Sequence, residues 1–399
     1  MREDSPSIIG VTSTTPTIRD ALITIEAVKR ACPDALTVIG GPHATFLPSE
    51  TLRKCSQLDI VCVGEGERTM RELARAVEDR SPLSSVRGIV YRSGDHFTEA
   101  PPQPLISNLD SLPFPARHLL PMNHYTVLGK KATVGHVVTS RGCPFNCIFC
   151  ASSLLFGREF RARSARNVID EVEEVVSDYS PDTLEFTDDL FTLNRRRVED
   201  ICDEMKTRRV DVPWACSSRV DTVSRELLLK MRRAGCRLIY FGVESGSQRT
   251  LNQMRKGITI AQVEDAFRWA REAGIETVAS FIIGWPHETI DDIENTLAFA
   301  RRLDTDYAQF SFATPYPGTE LYNLAERRRL LLTDDWSEYT AGRPIIHTGE
   351  FAAEELPRLL LRVYKSFYLT PRMVLRNLRR GRVSLLLAAI LAFARAHQL

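Results

Sequence analysis

Nothing in the composition of this chain is extreme, and its shortages narrow the class. Charges balance to a formal +1 over 399 residues, so no basic excess offers a general grip on nucleic acid, and none is expected as a partner. Nine cysteines are too few for a disulfide scaffold in a chain of this length. The opening Met1-Arg-Glu-Asp-Ser-Pro-Ser has neither the basic nor the apolar region of a signal peptide. A reducing, cytoplasmic setting is therefore expected. Long apolar runs are missing too. The best of them, Val383 to Ala394, would reach only ~18 Å as a helix against roughly 30 Å of hydrocarbon. Hydrophobic residues at 43% and charged residues at 26% suit a folded globular chain, and the length suits two or three domains.

A fourth cysteine is what the most informative stretch lacks. Cys143, Cys147 and Cys150 sit within Arg141-Gly-Cys-Pro-Phe-Asn-Cys-Ile-Phe-Cys150, just after an apolar strand candidate at 134–139. Thiolates are soft ligands that select iron–sulfur clusters, zinc or copper(I). A cubane cluster usually takes four cysteines, so three leave one iron open, and an open position marks a site that does chemistry. A structural zinc site is the competing reading, although it needs a fourth ligand and usually shows paired Cys-x2-Cys knuckles.

Cys-x3-Cys-x-aromatic-Cys, with Phe149 as the aromatic, resembles the signature of the radical S-adenosylmethionine (SAM) superfamily. The resemblance implies a [4Fe–4S] cluster on Cys143, Cys147 and Cys150 whose open iron chelates SAM. It also implies reductive cleavage of SAM to a 5′-deoxyadenosyl radical, fed by an electron donor such as flavodoxin or ferredoxin. The cofactor carries the hard chemistry, while the protein binds, orients and shields it.

Upstream, strand candidates at Ile8–Val11, Leu36–Ile39 and Ile60–Val63 alternate with helical periodicity at Ile18, Leu22, Ile25 and Val28. That pattern implies a parallel α/β sheet with its binding edge at the strands' C-terminal ends. Gly-Gly-Pro-His at 40–43, Gly-Glu-Gly-Glu at 64–67 and Thr12-Ser13 resemble the cobalamin-binding domain that precedes the radical core in one large branch. The resemblance implies contacts to cobalamin from Ser13, Gly40 and Gly41. The branch's Asp-x-His-x-x-Gly loop has no counterpart, and His43 lies in a different loop, so it is not assigned to cobalt. The match covers only the later part of that domain. Three readings stay open: a start further upstream, cobalamin held without a histidine, or a scaffold without its ligand.

The expected organisation is an incomplete cobalamin-binding-like domain over 1–80, a proline-rich linker over 81–133, a radical SAM core over 134–322 and a helical extension over 323–399. Within the core, strands near 134–139, 183–187, 212–217, 237–243, 277–283 and 307–313 alternate with helices. Six such repeats suit an open, TIM-like partial (β/α)6 barrel, whose reactive groups belong at the strands' C-terminal ends. By resemblance, Asp188 would accept the SAM ammonium, Ser217 and Arg219 would meet its methionine part, Glu244 of Glu-Ser-Gly would bind ribose or amino group, and Gly284 would admit adenine to the backbone. Local explanations compete: a helix cap for Asp188, a salt bridge from Arg219 to Asp221 or Asp188, and a cap for Glu288.

Leu356, Leu359, Leu360, Val363, Tyr364 and Phe367 recur at helical spacing. From Leu356 onward the chain has no Asp or Glu. These helices either cover the barrel or rest as a basic apolar surface on the inner membrane face. The favoured activity is methyl transfer to an unactivated carbon by way of cobalamin. Radical oxidation or cyclisation of a tetrapyrrole or lipid-like substrate is the runner-up, and a non-catalytic iron–sulfur carrier or sensor is the alternative of another class. Cys32, Cys55 and Cys62 lie too far apart for a second cluster and read as core.

Overall fold

The computed structural model describes residues 6–379 apart from 125, 128, 129, 132, 133 and 349. The apolar run at 383–394 lies outside them. Contacts divide the chain into two units, one comprising residues up to Ser107 with Gly142–Phe160 and Thr314–Ile345, the other Asn108–Arg141, Arg161–Ala313 and the chain from Ile346.

The first unit is built on five strands in sequential order, β1 (Ile8–Thr12), β2 (Leu36–Gly40), β3 (Ile60–Cys62), β4 (Ile89–Ser93) and β5 (His96–Glu99). The first three pair in parallel and the last two are antiparallel. Helix α1 (Ile18–Ala31) buries Ile18, Ala21, Ile25 and Val28, the stripe that its periodicity predicts. Helix α2 (Gly66–Glu78) buries Thr69, Leu73 and Ala76. The sheet thus runs past residue 80, into the stretch expected to be linker. The β4–β5 hairpin lies before the dense prolines that begin at Pro101, and it belongs to the sheet. After it, the Ile106 amide donates to the buried Glu65 carboxylate at 2.8 Å.

The second unit carries six parallel strands, β6 (Val134–Val137), β7 (Thr183–Phe186), β8 (Trp214–Ser218), β9 (Cys236–Glu244), β10 (Glu276–Ile283) and β11 (Tyr307–Phe312). Their order in the sheet is β11-β10-β9-β8-β7-β6, the open α/β arrangement that the sequence predicts. Helices α3 (Ala165–Tyr179), α4 (Arg195–Thr207), α5 (Arg225–Arg233), α6 (Ile260–Ala273) and α7 (Ile290–Leu303) follow successive strands. Sequence signals set their ends. Thr259 with Gln262, and Thr289 with Asp292, form capping boxes, and Gly274 ends α6 at φ +73°.

One face of the sheet is apolar, with Phe186, Trp214, Phe241, Phe281 and Phe310 among its core residues. The latter part of the expected linker belongs to this unit, because Arg117 and Arg163 both pair with the buried Glu171 of α3. Helix α8 (Glu355–Tyr368) covers the edge strand β11. The Tyr364 hydroxyl accepts from Phe310 N–H at 3.0 Å and donates to its carbonyl at 2.9 Å. Tyr368 does the same for Ala308, at 2.9 and 2.8 Å. Two side chains thereby satisfy backbone that an edge strand leaves unpaired. Of the two readings of these helices, packing is therefore what α8 displays.

Candidate cluster loop and cofactor edges

The three cysteines follow Gly142, which is buried and has φ +86°. The Cys143 amide donates to the Gly157 carbonyl and the Cys150 amide to that of Cys147, at 3.3 and 3.2 Å. Leu321 N–H binds the Ile148 carbonyl at 2.9 Å, which draws Thr314–Ile345 into the unit holding the loop. That pairing departs from the expected boundaries, which placed 143–150 and all residues to 322 in one core. All three cysteines are half-buried and none is in a disulfide. No three His, Cys, Asp or Glu side chains among the described residues converge on one ion-sized point. A cubane asks less, because each thiolate binds a separate iron. Three thiols outside any disulfide, closely spaced along one anchored loop, therefore fit the cluster.

In the second unit, Asp188 follows β7 and is 3% exposed. Its carboxylate accepts from Thr139 N–H and Ser140 Oγ, both at 2.6 Å, and from the Thr139 hydroxyl. It therefore fixes the chain that leaves β6, with Arg197 3.9 Å away. Arg219 is also engaged within the protein. It grips Asp221 through Nε and Nη2, both at 2.9 Å, and donates to the Lys256 carbonyl at 2.7 Å. The local explanation thus describes Arg219 better than a pairing with the SAM carboxylate. Ser217 is half-buried on β8, and its carbonyl accepts from Phe191 N–H at 3.1 Å.

Glu244 ends β9 with φ +69°, where the register with β10 shifts between Gly242 and Glu244. A non-glycine residue held there stores about 1–3 kcal/mol. Its carboxylate meets Lys256 Nζ at 2.5 Å, with the two side chains only 9% and 8% exposed. A Cβ on Gly242 would lie 2.5 Å from Glu244 Oε1 and 2.8 Å from Lys256 Nζ. The ion pair therefore folds over the glycine. Lys256 is the residue that sequence reasoning missed, since it sits in an unremarkable Lys-Gly turn.

Gly284 has φ +71°, and its surroundings are Phe312, Thr348 and Leu356 at 3.4–3.9 Å from a built Cβ. The conformation favours glycine, and these side chains pack beside it at ordinary van der Waals distances. Glu288 does not cap α7, whose N-cap is Thr289. Its Oε2 instead accepts the Gly284 and Trp285 amides at 2.7 and 3.2 Å. Burial raises its pKa to about 8.

At the N-terminal sheet's C-terminal edge, Ser13 N–H binds the Gly40 carbonyl at 3.0 Å. Gly41, at φ +94°, lies so close to Thr12 and Ser13 that a Cβ would come within 2.8 Å of Thr12 Oγ1. Its missing side chain serves strand approach first. Gly40 and Gly64 remain open, the first with nothing nearer than 3.8 Å and the second with nothing within 4 Å. Ser13 Oγ is buried without a hydrogen-bond partner. An orphaned hydroxyl beside open glycines fits a ligand at this edge. His43 does not contribute to it. Its ring packs edge-on to Trp336 at 5.3 Å, with Nδ1 3.3 Å from Thr15 Oγ1, and burial lowers its pKa to about 4.

Family models cover both halves of this arrangement. The radical SAM superfamily model matches residues 137–300, and the B12 binding domain model matches residues 1–74. The chain belongs to the radical SAM superfamily, in the branch that joins its core to a B12-binding domain. It is a radical SAM enzyme, with a [4Fe–4S] cluster, SAM and cobalamin as the cofactors of its two domains.

Among its relatives is an uncharacterized methyltransferase of Pyrococcus horikoshii. It is 42% identical over 378 residues, which cover 95% of this chain and 82% of that protein. The anaerobic magnesium-protoporphyrin IX monomethyl ester cyclase of Cereibacter sphaeroides is 32% identical, with 92% of this chain matching 61% of the cyclase. The fold matches the cobalamin-dependent SAM radical enzyme OxsB with a TM-score of 0.72 at 18% identity, over 96% of this chain and 63% of that one. It also matches the methyltransferase TsrM of Kitasatospora setae with a TM-score of 0.68 at 20% identity, over 81% of this chain and 67% of that one.

Proposed function

We propose that this chain transfers a methyl group to an unactivated carbon as a cobalamin-dependent radical SAM methyltransferase. The observation that carries the reading is the presence, in one chain, of the anchored three-cysteine loop and a glycine-lined sheet edge with the orphaned Ser13 hydroxyl. When bound, the cluster and SAM supply a hydrogen-abstracting radical, and cobalamin supplies a methyl carrier. Cys143, Cys147 and Cys150 hold the cluster, and Phe149 contacts SAM beside it. Glu244 binds the ribose hydroxyls of SAM. Asp188 and Arg219 act as positioning residues, the first on the chain leading to the cysteine loop, the second on Lys256. Ser217 stays assigned to SAM, as does Gly284, whose backbone meets the adenine. Ser13, Gly40 and Gly41, with Gly64, border the cobalamin.

The resemblance to a methyltransferase at 42% identity favours methylation, whereas the cyclase at 32% keeps oxidative cyclisation as the second reading. Anaerobic incubation with dithionite and SAM tests the class. Formation of 5′-deoxyadenosine supports an enzyme, and its absence from cluster-loaded protein removes the proposal in favour of a carrier. With a tetrapyrrole or lipid acceptor, methyl-deuterated SAM separates the two enzymatic readings by product mass.

A small-molecule substrate and a flavodoxin- or ferredoxin-like donor complete the reading. Leu369, Leu375 and Leu378 are 42–49% exposed beside the basic residues Arg372 and Arg379. They suit contact with anionic lipid. No described helix is long and apolar enough to cross a membrane. Sedimentation with anionic vesicles should show salt-sensitive binding, and its absence removes the membrane contact alone.

A further inference from the structure

The residue that joins the two best sequence-predicted positions of the core has no assigned role. Lys256 lies between them. Its carbonyl receives Arg219 Nη2 at 2.7 Å, and its ammonium meets Glu244 Oε1 at 2.5 Å. Arg219 is itself held by Asp221 through two bonds of 2.9 Å. Asp221, Arg219, Lys256 and Glu244 thus form one chain of contacts across the ends of β8 and β9.

Three observations show that the geometry at Glu244 is imposed. The backbone takes φ +69°, in the left-handed region that glutamate ordinarily avoids. The strand register shifts at that point. Gly242 has no side chain where the ion pair folds over it, and any Cβ would collide with both partners. A lysine needed only for surface charge would not be 6% exposed, because burying an ammonium is costly without a matched partner. The contact takes one carboxylate oxygen. That oxygen is Oε1, so the pair aims the carboxylate and its second oxygen is the one a ligand hydroxyl would meet.

We infer that Lys256 is a positioning residue that orients the Glu244 carboxylate toward the ribose hydroxyls of SAM and so sets the enzyme's discrimination for an intact ribose. The inference rests on the assignment of Glu244 to SAM proposed above. It names the moiety read by the pair and the residue that makes the reading possible.

The test is equilibrium dialysis of the anaerobically reconstituted protein, with its cluster left oxidised so that SAM is not cleaved. The probes are SAM and its 2′-deoxy and 3′-deoxy analogues. The wild-type protein should prefer SAM over at least one analogue by about tenfold or more, the scale of one hydrogen bond to a charged acceptor. Lys256→Met should remove most of that preference, and Lys256→Arg should restore it. Glu244→Gln should also remove it, and the double variant should be no worse than Glu244→Gln alone.

A Lys256→Met protein that binds SAM less tightly but keeps the wild-type preference has lost only structure, and that result overturns the inference. Loss of preference in Glu244→Gln alone also overturns it while leaving the Glu244 assignment intact. An unchanged preference in Glu244→Gln overturns both. Should Lys256→Met fail to fold, as judged by circular dichroism, the doubly neutral Lys256→Gln/Glu244→Gln pair replaces it. That protein must then match Glu244→Gln, and any further loss of preference refutes the inference.

Discussion

Gly142→Ala isolates the loop that carries the cysteines. At φ +86° the position lies where an L-residue is strained, at about 1–2 kcal/mol. The new Cβ would also stand 3.0 Å from the Gly157 carbonyl oxygen and closer still to that of Glu159. Both obstacles are backbone, so the loop must move, for about 1–3 kcal/mol more. The native loop conformation should therefore weaken by about 2–5 kcal/mol, a factor of roughly thirty or more at 1.4 kcal/mol per decade.

Cys143 is the next residue, so the displacement reaches the ligands before the core. The assay is iron and sulfide per chain after anaerobic reconstitution, beside far-ultraviolet circular dichroism. Gly94→Ala is the matched control. Gly94 has φ +60° and nothing within 4 Å of a built Cβ, so the strain is similar and the collision is absent. Gly142→Ala should lose more than half of its cluster with secondary structure intact, and Gly94→Ala should lose none. Equal cluster content in the two variants would refute the argument, because collision with the loop would then have no consequence.

Tyr364→Phe and Tyr368→Phe each leave one β11 amide and carbonyl without their hydroxyl partner. Each should cost about 1–3 kcal/mol in a urea titration, and an unchanged midpoint in both would show that the edge is otherwise satisfied. Burial, opposed by the Trp285 and Gly284 amides, raises the Glu288 pKa from 4.5 to about 8. The folded protein then keeps a proton that the unfolded chain releases. The resulting stability is present in full below pH 4.5 and is lost as pH rises toward 8. Glu288→Gln should flatten that slope in thermal melts, and an identical slope in the variant would assign it to other groups. Trp336 is 9% exposed and stacks near His43 and Tyr339, at 5.3 and 4.7 Å. Trp336→Ala should cost about 3–5 kcal/mol. It should also return the His43 pKa from about 4 toward its ordinary 6.5, as an NMR titration would record.

The sequence was most legible where short-range rules act. All six core strands fall within about two residues of expectation and alternate with helices as expected, because each core helix begins at a side-chain cap and the strands show alternating burial. The cysteine motif is equally local. Legibility failed where partners are distant in the chain. Asp188 reads as a ligand until Thr139, 49 residues away, is seen to fill its carboxylate. Glu244 reads alone until Lys256, 12 residues on, is paired with it. Trp336 lies 286 residues from Glu50, to which its indole N–H donates. No periodicity reports such a contact, so the grouping of Thr314–Ile345 with the first unit was invisible.

Strain adds an independent reading of where the chemistry lies. Among the described residues, eight non-glycine positions have positive φ. Six of them, Arg80, Ser180, Arg209, Arg255, Asp304 and Arg329, stand just beyond helix C-termini, where a left-handed residue closes the last turn. The other two are Glu244 and His287. Glu244 ends one core strand and His287 follows another, on the side where parallel α/β sheets hold their ligands. Helix termination explains the six and leaves these two unexplained. His287 N–H is tied to the Thr348 carbonyl at 2.9 Å, which accounts for its bend by packing within the unit. For Glu244 the partner among the described residues is Lys256, and an ion pair alone does not call for a left-handed backbone. The strain there is reasonable only if the carboxylate must face a particular direction, and a bound ribose would give it that requirement.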